Sequence, residues 1–379
     1  MLAPFCRETV KETDLTLKIE GSKNLTNLRG GLGMNCIGLD VHQTSTFGSV
    51  VREGEEVFRF EVATQAEELR KTLRRIKGAK RVAVEEGNLS DWCKRTLEGV
   101  VEEVIICDPR WNRLISEGED KVDAVDAYRL GLLLWLDQLR PVYHASLELQ
   151  QLKEAVISYW QSSADVTRAK NRLKSQFARR GLAVKDGSVY REEGFQRLRQ
   201  QLEHSWGQTQ IVDSLFEQVS FSRQQQAERL GHLRQQQRSH VSVLKQLRTI
   251  PGVGPIVAVT FFSFIGDPWR FPNKRKLWKY CGLAVKHPFS AGRRTGYPRR
   301  SQQYNRRLKH VLGMAAQAAL RCQNGNALTQ TGQLLVQQGK AASAVRRALS
   351  RKIAVIAWCI MKNPQPYREE VYEETNAIC

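Results

Sequence analysis

The chain has 379 residues, which is enough for two or three domains with substantial cores. Its 59 Lys and Arg residues outnumber 39 Asp and Glu residues, giving a formal net charge of +20 at pH 7. The sequence contains no run of about 18 apolar residues and no helix-like stretch with a strong apolar face, so it predicts neither a membrane span nor a membrane-surface helix.

The cysteines and the N-terminal segment carry no sign of export. The eight cysteines form no C-x-x-C pair and have no histidine at zinc-finger spacing, so we interpret them as thiols of a reducing cytosol. Residues 1–33 are polar, lack the continuous apolar core of a secretory signal, and are predicted to be a flexible extension before the domain that begins at Met34. The predicted location is cytoplasmic.

Residues 34–140 read as an α/β domain. Three strand-like runs come first, NCIGLDVH, FGSVV and EEVFRFEV, and a helix follows that Thr64 and Glu67 are predicted to cap as a capping box. The strand-like runs RVAVEE and EVIICD then alternate with helical segments. Three early strands followed by alternating helix and strand are the order of an RNase H-like sheet.

Alternation within the strands predicts which carboxylates share a face. Asp40 lies on the same face of its strand as Gly38, and Glu85 on the same face as Ala83, so both acids stand beside small residues. Glu86 points to the other face and remains the alternative to Glu85.

Two further acids, Asp123 and Asp126, are three residues apart in a helical segment, where like charges repel. Together with Asp40 and Glu85 they form a set of four carboxylates. Such a set is costly unless divalent cations neutralise it, and carboxylate oxygens suit Mg²⁺ or Mn²⁺. The sequence therefore predicts a metal site for phosphoryl transfer, with these four acids as ligands.

The remainder of the chain is predicted to be mainly helical. Residues 141–248 show apolar stripes at helical spacing, typical of two long antiparallel helices in a coiled-coil-like linker. The C-terminal domain, residues 249–379, begins with TIPGVGP, in which Gly252 and Gly254 permit a helix-hairpin-helix-like turn that could hold a phosphate.

Charge is concentrated in the C-terminal third. Between Asp267 and Glu369 there is no acidic residue, whereas about twenty Lys and Arg residues fall in that interval. This distribution favours a nucleic-acid partner. Ser290 lies here in a basic loop, among the predicted nucleic-acid-binding residues Arg293, Arg294, Arg299 and Arg300.

The order of these segments resembles the IS110 family of transposases from Met34 onward. The segments GLDVH, VEEGN, DPRWNR and DKVDAVDA resemble its RuvC-like N-terminal domain, and TIPGVGP, LWKYCGLAV, SAG and YNRRLKHVL resemble its C-terminal transposase domain. The chain departs from the family pattern in having Ser290-Ala291-Gly292 in place of Ser-Gly, and Tyr304 in place of the glycine before Asn305.

The resemblance implies a DNA transposase in which Asp40, Glu85, Asp123 and Asp126 bind Mg²⁺ or Mn²⁺ and Ser290 is the nucleophile. It further implies a structured non-coding guide RNA, a dimer that pairs into a tetramer, and no use of ATP. Ser301 remains the alternative nucleophile. Two other functions stay open: a RuvC-like metal-dependent nuclease, such as a junction resolvase, that uses water, and a nucleic-acid-binding protein with a decayed catalytic site.

Overall fold

The computed structural model describes residues 33–111, 123–184, 186–206, 209–286, 289–290, 293–295, 299–300, 303–322 and 325–369. The predicted N-terminal extension therefore lies outside the described residues, except for Gly33. The chain divides into two compact units, the first ending at His144 and the second beginning at Ala145.

The first unit is built on a sheet that, within the described residues, has five strands in the order β3-β2-β1-β4-β5. Strands β1 to β3 form an antiparallel meander, while β4 pairs parallel to β1 and β5 parallel to β4. This arrangement confirms the predicted strands. The elements are β1 (Asn35–Val41), β2 (Ser45–Arg52), β3 (Glu55–Ala63), α1 (Ala66–Arg75), β4 (Lys80–Glu85), α2 (Ser90–Leu97), β5 (Glu103–Cys107) and α3 (Asp123–Trp135).

Each face of the sheet has its own core. On one face Ile37, Val82 and Ile106 pack with the apolar residues of α1 and α2. On the other face Cys36 and Ala83 pack with residues of α3. The alternation predicted from the sequence is confirmed, because neighbouring residues of β1 and β4 fall into different cores.

The predicted capping box at the start of α1 is wrong. The N-cap residue is Gln65, and its side chain makes no capping hydrogen bond. The hydroxyl of Thr64 instead donates to the carbonyl of His42 and lies 2.8 Å from the hydroxyl of Thr46. The Thr64 hydroxyl, which the local sequence predicts to cap α1, therefore hydrogen-bonds at the β1–β2 turn instead.

The second unit is mainly helical. Its helices are α4 (Leu147–Ala178), α5 (Glu192–Trp206), α6 (Gln210–Gln236), α7 (Val241–Leu247), α8 (Pro255–Ile265), α9 (Lys274–Tyr280), α10 (Arg306–Leu320), α11 (Ala327–Gln337) and α12 (Ala342–Lys362). Among the residues described between α9 and α10 are four two-residue strands, β6 (Val285–Lys286), β7 (Phe289–Ser290), β8 (Arg293–Arg294) and β9 (Arg299–Arg300).

The long helices α4 and α6 pack against each other in antiparallel directions, as predicted. The side chain of Arg172 donates to that of Gln218 over 3.3 Å, and Gln226 donates to Ser163 over 2.8 Å, so positions that ascend along α4 descend along α6. The coiled-coil character of the pair stays a prediction, as do the domain boundaries at 140/141 and 248/249.

Two cores stabilise the second unit. One is a small core in which the C-terminal half of α4 packs with α5 and the N-terminal half of α6, around Phe177, Phe195 and Val219. The other is a large core formed by α7 to α12, to which residues Leu152 to Val156 of α4 also belong. No helix within the described residues combines the length and the apolar character that crossing a bilayer requires.

Candidate active site and nucleic-acid interface

Asp40 and Glu85 lie side by side in the sheet. Leu39 pairs with Val84 across the parallel strands β1 and β4, and the two acids are the next residue of each strand. Since both strands run in the same direction, the two carboxylates lie at the same, carboxyl-terminal edge. The sequence-based prediction that these strand ends meet is consistent with this register.

Helix α3 covers the face of the sheet that Asp40 and Glu85 share. A Cβ atom added to Gly38 would collide with the carbonyl oxygen of Ala127 and lie 2.5 Å from the backbone nitrogen of Gly131. Only glycine at position 38 allows helix and strand to approach so closely. The small residue next to Asp40 is therefore needed for packing.

The direction of α3 brings its first turn toward the same edge. The helix runs antiparallel to β1, because Gly131 lies against the carbonyl of Cys36 while the earlier residue Ala127 lies against Gly38. Asp126, which is half-buried, precedes Ala127 and so lies on the Asp40 side. Asp123 is the first residue of α3, and its side chain lies outside the part of the chain that the structure describes.

The donor chemistry of this edge fits a hard divalent cation, since every predicted ligand is a carboxylate. Within the described residues, no group of three or more His, Cys, Asp or Glu side chains is placed to hold a metal ion. That set excludes Asp123. Asp40 contacts His42, whose Nε2 atom lies 3.2 Å from its Oδ2 atom.

Glu86 and Asp91 both contact one histidine. His144 lies with its Nε2 atom 2.7 Å from Oε2 of Glu86 and its Nδ1 atom 2.9 Å from Oδ1 of Asp91. The imidazole is largely buried, with 9% of its side chain exposed, and joins the end of β4 to the first turn of α2. His144 was missed by sequence reasoning, because it is 58 residues from Glu86 and no local pattern links them.

Asp108 follows β5 at the same edge but is paired within its own loop. The Nε atom of Arg110 donates to Oδ1 of Asp108 over 2.7 Å. This hydrogen bond, the largest cause, and the adjacent positive charge hold the pKa of the Asp108 carboxyl below its ordinary value. The carboxylate of Asp108 is thus engaged in an ion pair with Arg110.

The backbone of Ser290 lies in a small antiparallel ladder. Ser290 pairs with Arg293 and Phe289 with Arg294, and only residues 291 and 292 separate the two strands. A second ladder pairs Lys286 of β6 with Arg299 of β9. In the chain, β6 precedes the first ladder and β9 follows it. The side chain of Ser290 and all of Ser301 lie outside the described residues.

Of the four arginines predicted around Ser290, only the side chain of Arg293 is described, and it is exposed. The other three, Arg294, Arg299 and Arg300, are placed through their backbone alone, in β8 and β9.

The turn before α8 has the conformation that its glycines predict. Gly252 has φ +82° and packs so closely on α10 that a Cβ atom would collide with the carbonyl of Ala315. Gly254 is the N-cap of α8, and a Cβ atom on it would meet no other atom within 4 Å. Gly252 therefore packs the turn against α10, while the space around the Gly254 Cα atom is open.

Two family models match the chain in the order of these sites. A transposase model of the DEDD IS110 type matches residues 37–179, which include β1, β4 and α3. A model described as the IS116/IS110/IS902 transposase family matches residues 244–333, which include the Ser290 segment. The chain belongs to the IS110 family of transposases.

Relatives of this IS110-family chain support the same assignment over shorter segments. It is 38% identical over 74 residues to the 44.8 kDa protein of insertion element IS116 from Streptomyces clavuligerus, covering 20% of this chain and 18% of the relative. It is 32% identical over 128 residues to the y4pF/y4sB protein of Sinorhizobium fredii, whose name includes the word transposase, covering 33% of each chain. The alignments thus span a third or less of these relatives.

The DEDD domain implies an RNase H-like fold for the first unit. The observed sheet, an antiparallel meander followed by two parallel strands, agrees with that fold class, as does the mainly helical second unit.

Proposed function

We propose that this chain is a DNA transposase that cuts and rejoins DNA for an IS110-like insertion sequence. The observation that carries the proposal is the adjacency of Asp40 and Glu85 at the ends of two parallel strands, on the sheet face that α3 covers. Carboxylates at neighbouring strand ends are suited to hold a divalent cation for phosphoryl transfer.

The carboxylates Asp40, Glu85, Asp123 and Asp126 are the residues that would hold the cation. When Mg²⁺ or Mn²⁺ is bound there, it supplies Lewis-acid chemistry that favours loss of a proton from the attacking hydroxyl and offsets charge on the phosphate. Glu85 is preferred to Glu86 because the carboxylate of Glu86 is held by His144.

Ser290 is the proposed nucleophile. Its hydroxyl oxygen bonds to phosphorus while the bond from phosphorus to the 3′ oxygen breaks, so the serine becomes esterified to the 5′ phosphate and the departing 3′ oxygen takes up a proton. Because one phosphoester replaces another, rejoining needs no ATP. Support comes from the short ladder that pairs Ser290 with Arg293, since arginines beside the serine are suited to neutralise charge on the phosphate.

A structured non-coding guide RNA and a dimer that pairs into a tetramer are part of the proposal through the family resemblance alone. A location in the cytoplasm with the nucleoid follows from the proposed DNA substrate. The alternative nucleophile Ser301 is included in the test below.

The test is a covalent-adduct assay. The purified chain is incubated with the two ends of its element, the flanking RNA and Mg²⁺, then denatured and analysed for protein attached to labelled DNA. We expect an adduct that survives denaturation in the wild type and in Ser301→Ala, and none in Ser290→Ala. The Ser290→Ala protein should still bind the DNA, because the hydroxyl contributes little to affinity.

Three outcomes would overturn the role proposed for Ser290. Cleavage by Ser290→Ala at the wild-type rate, with free 5′-phosphate ends, would establish a metal-dependent nuclease that uses water. Loss of the adduct only in Ser301→Ala would move the nucleophile to that residue. Binding without cleavage under all conditions would instead indicate a decayed site.

A further inference from the structure

The second unit contains a cleft of about 690 Å³ whose cationic lining the proposed chemistry does not use. It lies between α10 and α12, and its remaining wall is formed by Gly282 and Leu283, after α9, and by Tyr304, before α10. Its basic lining residues are Arg306, Lys309, His310, Arg346 and Arg347. None of the described residues that line the cleft is an aspartate or glutamate.

The positive charge of the cleft is not offset by nearby sequence. Residues 268–368 contain no acid, so neither α10 nor α12 can supply a carboxylate. Burial, and then the charge of Arg347, lower the pKa of the guanidinium of Arg351, which lies one turn beyond Arg347. Cations gathered on two packed helices create a positive potential that attracts anions into the space between them.

Side-chain hydrogen bonds join the backbone segments that form the walls of the cleft. Ser350 donates to the carbonyl of Leu312 over 3.2 Å, which joins α12 to α10. The guanidinium of Arg351 donates twice to the carbonyl of Leu283, over 2.8 and 2.6 Å, and so joins α12 to the segment after α9. Preformed walls reduce the entropy that a ligand must overcome on binding.

Lys309 is held in position by an aromatic ring. Its ammonium lies 4.5 Å from the ring centroid of Tyr304 and donates to the phenolic oxygen over 3.2 Å. The Tyr304 ring packs directly on Gly282, because a Cβ atom added to Gly282 would lie only 2.7 Å from Cγ of Tyr304. Tyr304, the departure from the family pattern, therefore orients a cation of the cleft.

We propose that this cleft binds the phosphodiester backbone of a nucleic-acid strand. The inference rests on the proposed function, which it extends by a second contact surface. Arg306 and His310 are four residues apart on α10, about 6 Å along the helix axis, so donors from these side chains suit successive phosphate groups rather than one small anion.

The position of the cleft connects it to the serine segment. Leu283 and Tyr304, which line the cleft, lie at the two ends of the segment that carries Ser290. The backbone nitrogen of Asn305 donates to the carbonyl of Tyr280 over 2.8 Å, which holds these two ends together. A strand in the cleft would thus lie at the base of the segment that bears the proposed nucleophile.

Gly313 provides a charge-specific test. It lies in α10, lines the cleft, and has space for a side chain, since a Cβ atom there would meet no atom within 4 Å. Gly313→Glu places a carboxylate in the cleft, and Gly313→Gln places a neutral group of the same shape. Both replace a helical glycine by a better helix former, so the fold is expected to survive.

Gly231 supplies the control for net charge. It lies in α6, away from the cleft lining, and is equally open, so Gly231→Glu makes the same chemical change at another helical glycine. Arg346→Gln with Arg347→Gln removes two cations and provides a second, independent variant. Thermal unfolding of every full-length protein checks that each is folded.

Binding is measured by fluorescence anisotropy with a 30-base-pair DNA duplex, the corresponding single strand and an RNA hairpin, at several salt concentrations. We expect Gly313→Glu to weaken binding by about tenfold or more, and the double arginine variant to reduce the salt slope by about two. Gly313→Gln and Gly231→Glu should bind as the wild type does. Loss confined to the DNA probes assigns the cleft to DNA, and loss confined to the RNA probe assigns it to RNA.

Equal affinities of Gly313→Glu and Gly313→Gln for every probe would overturn the cleft proposal. If the wild type still binds DNA and forms the Ser290 adduct in that case, the transposase function stands. A wild type that binds none of the probes would overturn both.

Discussion

His144 Nε2 lies 2.7 Å from Oε2 of Glu86, and the other nitrogen of the same ring lies 2.9 Å from a carboxylate oxygen of Asp91. The imidazole therefore holds the end of β4 against α2, on the face of the sheet opposite to α3. Glu85 precedes Glu86 in the chain and, by strand alternation, belongs to the opposite face of the sheet. Glu86 has a structural partner, and Glu85 lies beside Asp40 at the strand edge.

Neutralising these two glutamates should give different results. We expect Glu85→Gln to abolish metal-dependent cleavage, with little change in thermal stability, because it removes a proposed ligand. Glu86→Gln should keep cleavage and lower the unfolding temperature, because the contact with His144 loses its charge. Cleavage assays and thermal unfolding of both variants check this, and the reverse pattern would make Glu86 the ligand.

Removing one of the paired acids of α3 should separate activity from stability. Asp126→Asn is expected to reduce cleavage by at least about a hundredfold while the unfolding temperature stays equal or rises, because like charges three residues apart on a helix repel. Circular dichroism and single-turnover cleavage measure the two effects. A large fall in unfolding temperature would instead assign Asp126 a structural role.

Gly38→Ala should destabilise the first unit by about 1–3 kcal/mol, because the added methyl group overpacks the contact between β1 and α3. The displaced helix should also reduce cleavage. Urea unfolding measures the loss of stability. Gly87→Ala is the matched control, since a Cβ atom there would meet nothing within 4 Å. Equal stabilities of the two variants would contradict the close approach.

The thiol of Cys281 should be unreactive in the native protein. Burial raises its pKa to about 12 from 9.0, so the folded state favours the neutral thiol. The unfolded chain loses this proton from about pH 9, so stability from this group is present below that pH and is lost as the pH rises toward 12. Mass spectrometry after iodoacetamide treatment at pH 8 should show Cys322, which is half-buried, modified well before Cys281.

Binding of DNA by the intact chain should weaken steeply with salt, because contacts with several phosphates release counterions. We expect a linear fall in the logarithm of the binding constant against the logarithm of the salt concentration. Anisotropy titrations between 50 and 200 mM NaCl, roughly the range in which such contacts are resolved, provide the measurement. A constant affinity would contradict a phosphate-binding C-terminal region.

Local pattern alone determined much of this protein. The strands of the first unit, the face shared by Asp40 and Glu85, and the antiparallel pair α4 and α6 were predictable, because side-chain alternation and helical periodicity are properties of a single segment. The charge of the C-terminal third was likewise readable from composition.

Other features depended on contacts between segments far apart in the chain. Thr64 hydrogen-bonds to the β1–β2 turn and does not cap α1. His144 meets Glu86 across 58 residues, and the basic cleft forms only when α10 and α12 pack together. The sequence supplies each of these side chains, but the tertiary structure decides their partners. A hydrogen bond or a shared electrostatic field requires proximity in space, and local periodicity carries no information about residues that are distant in the chain.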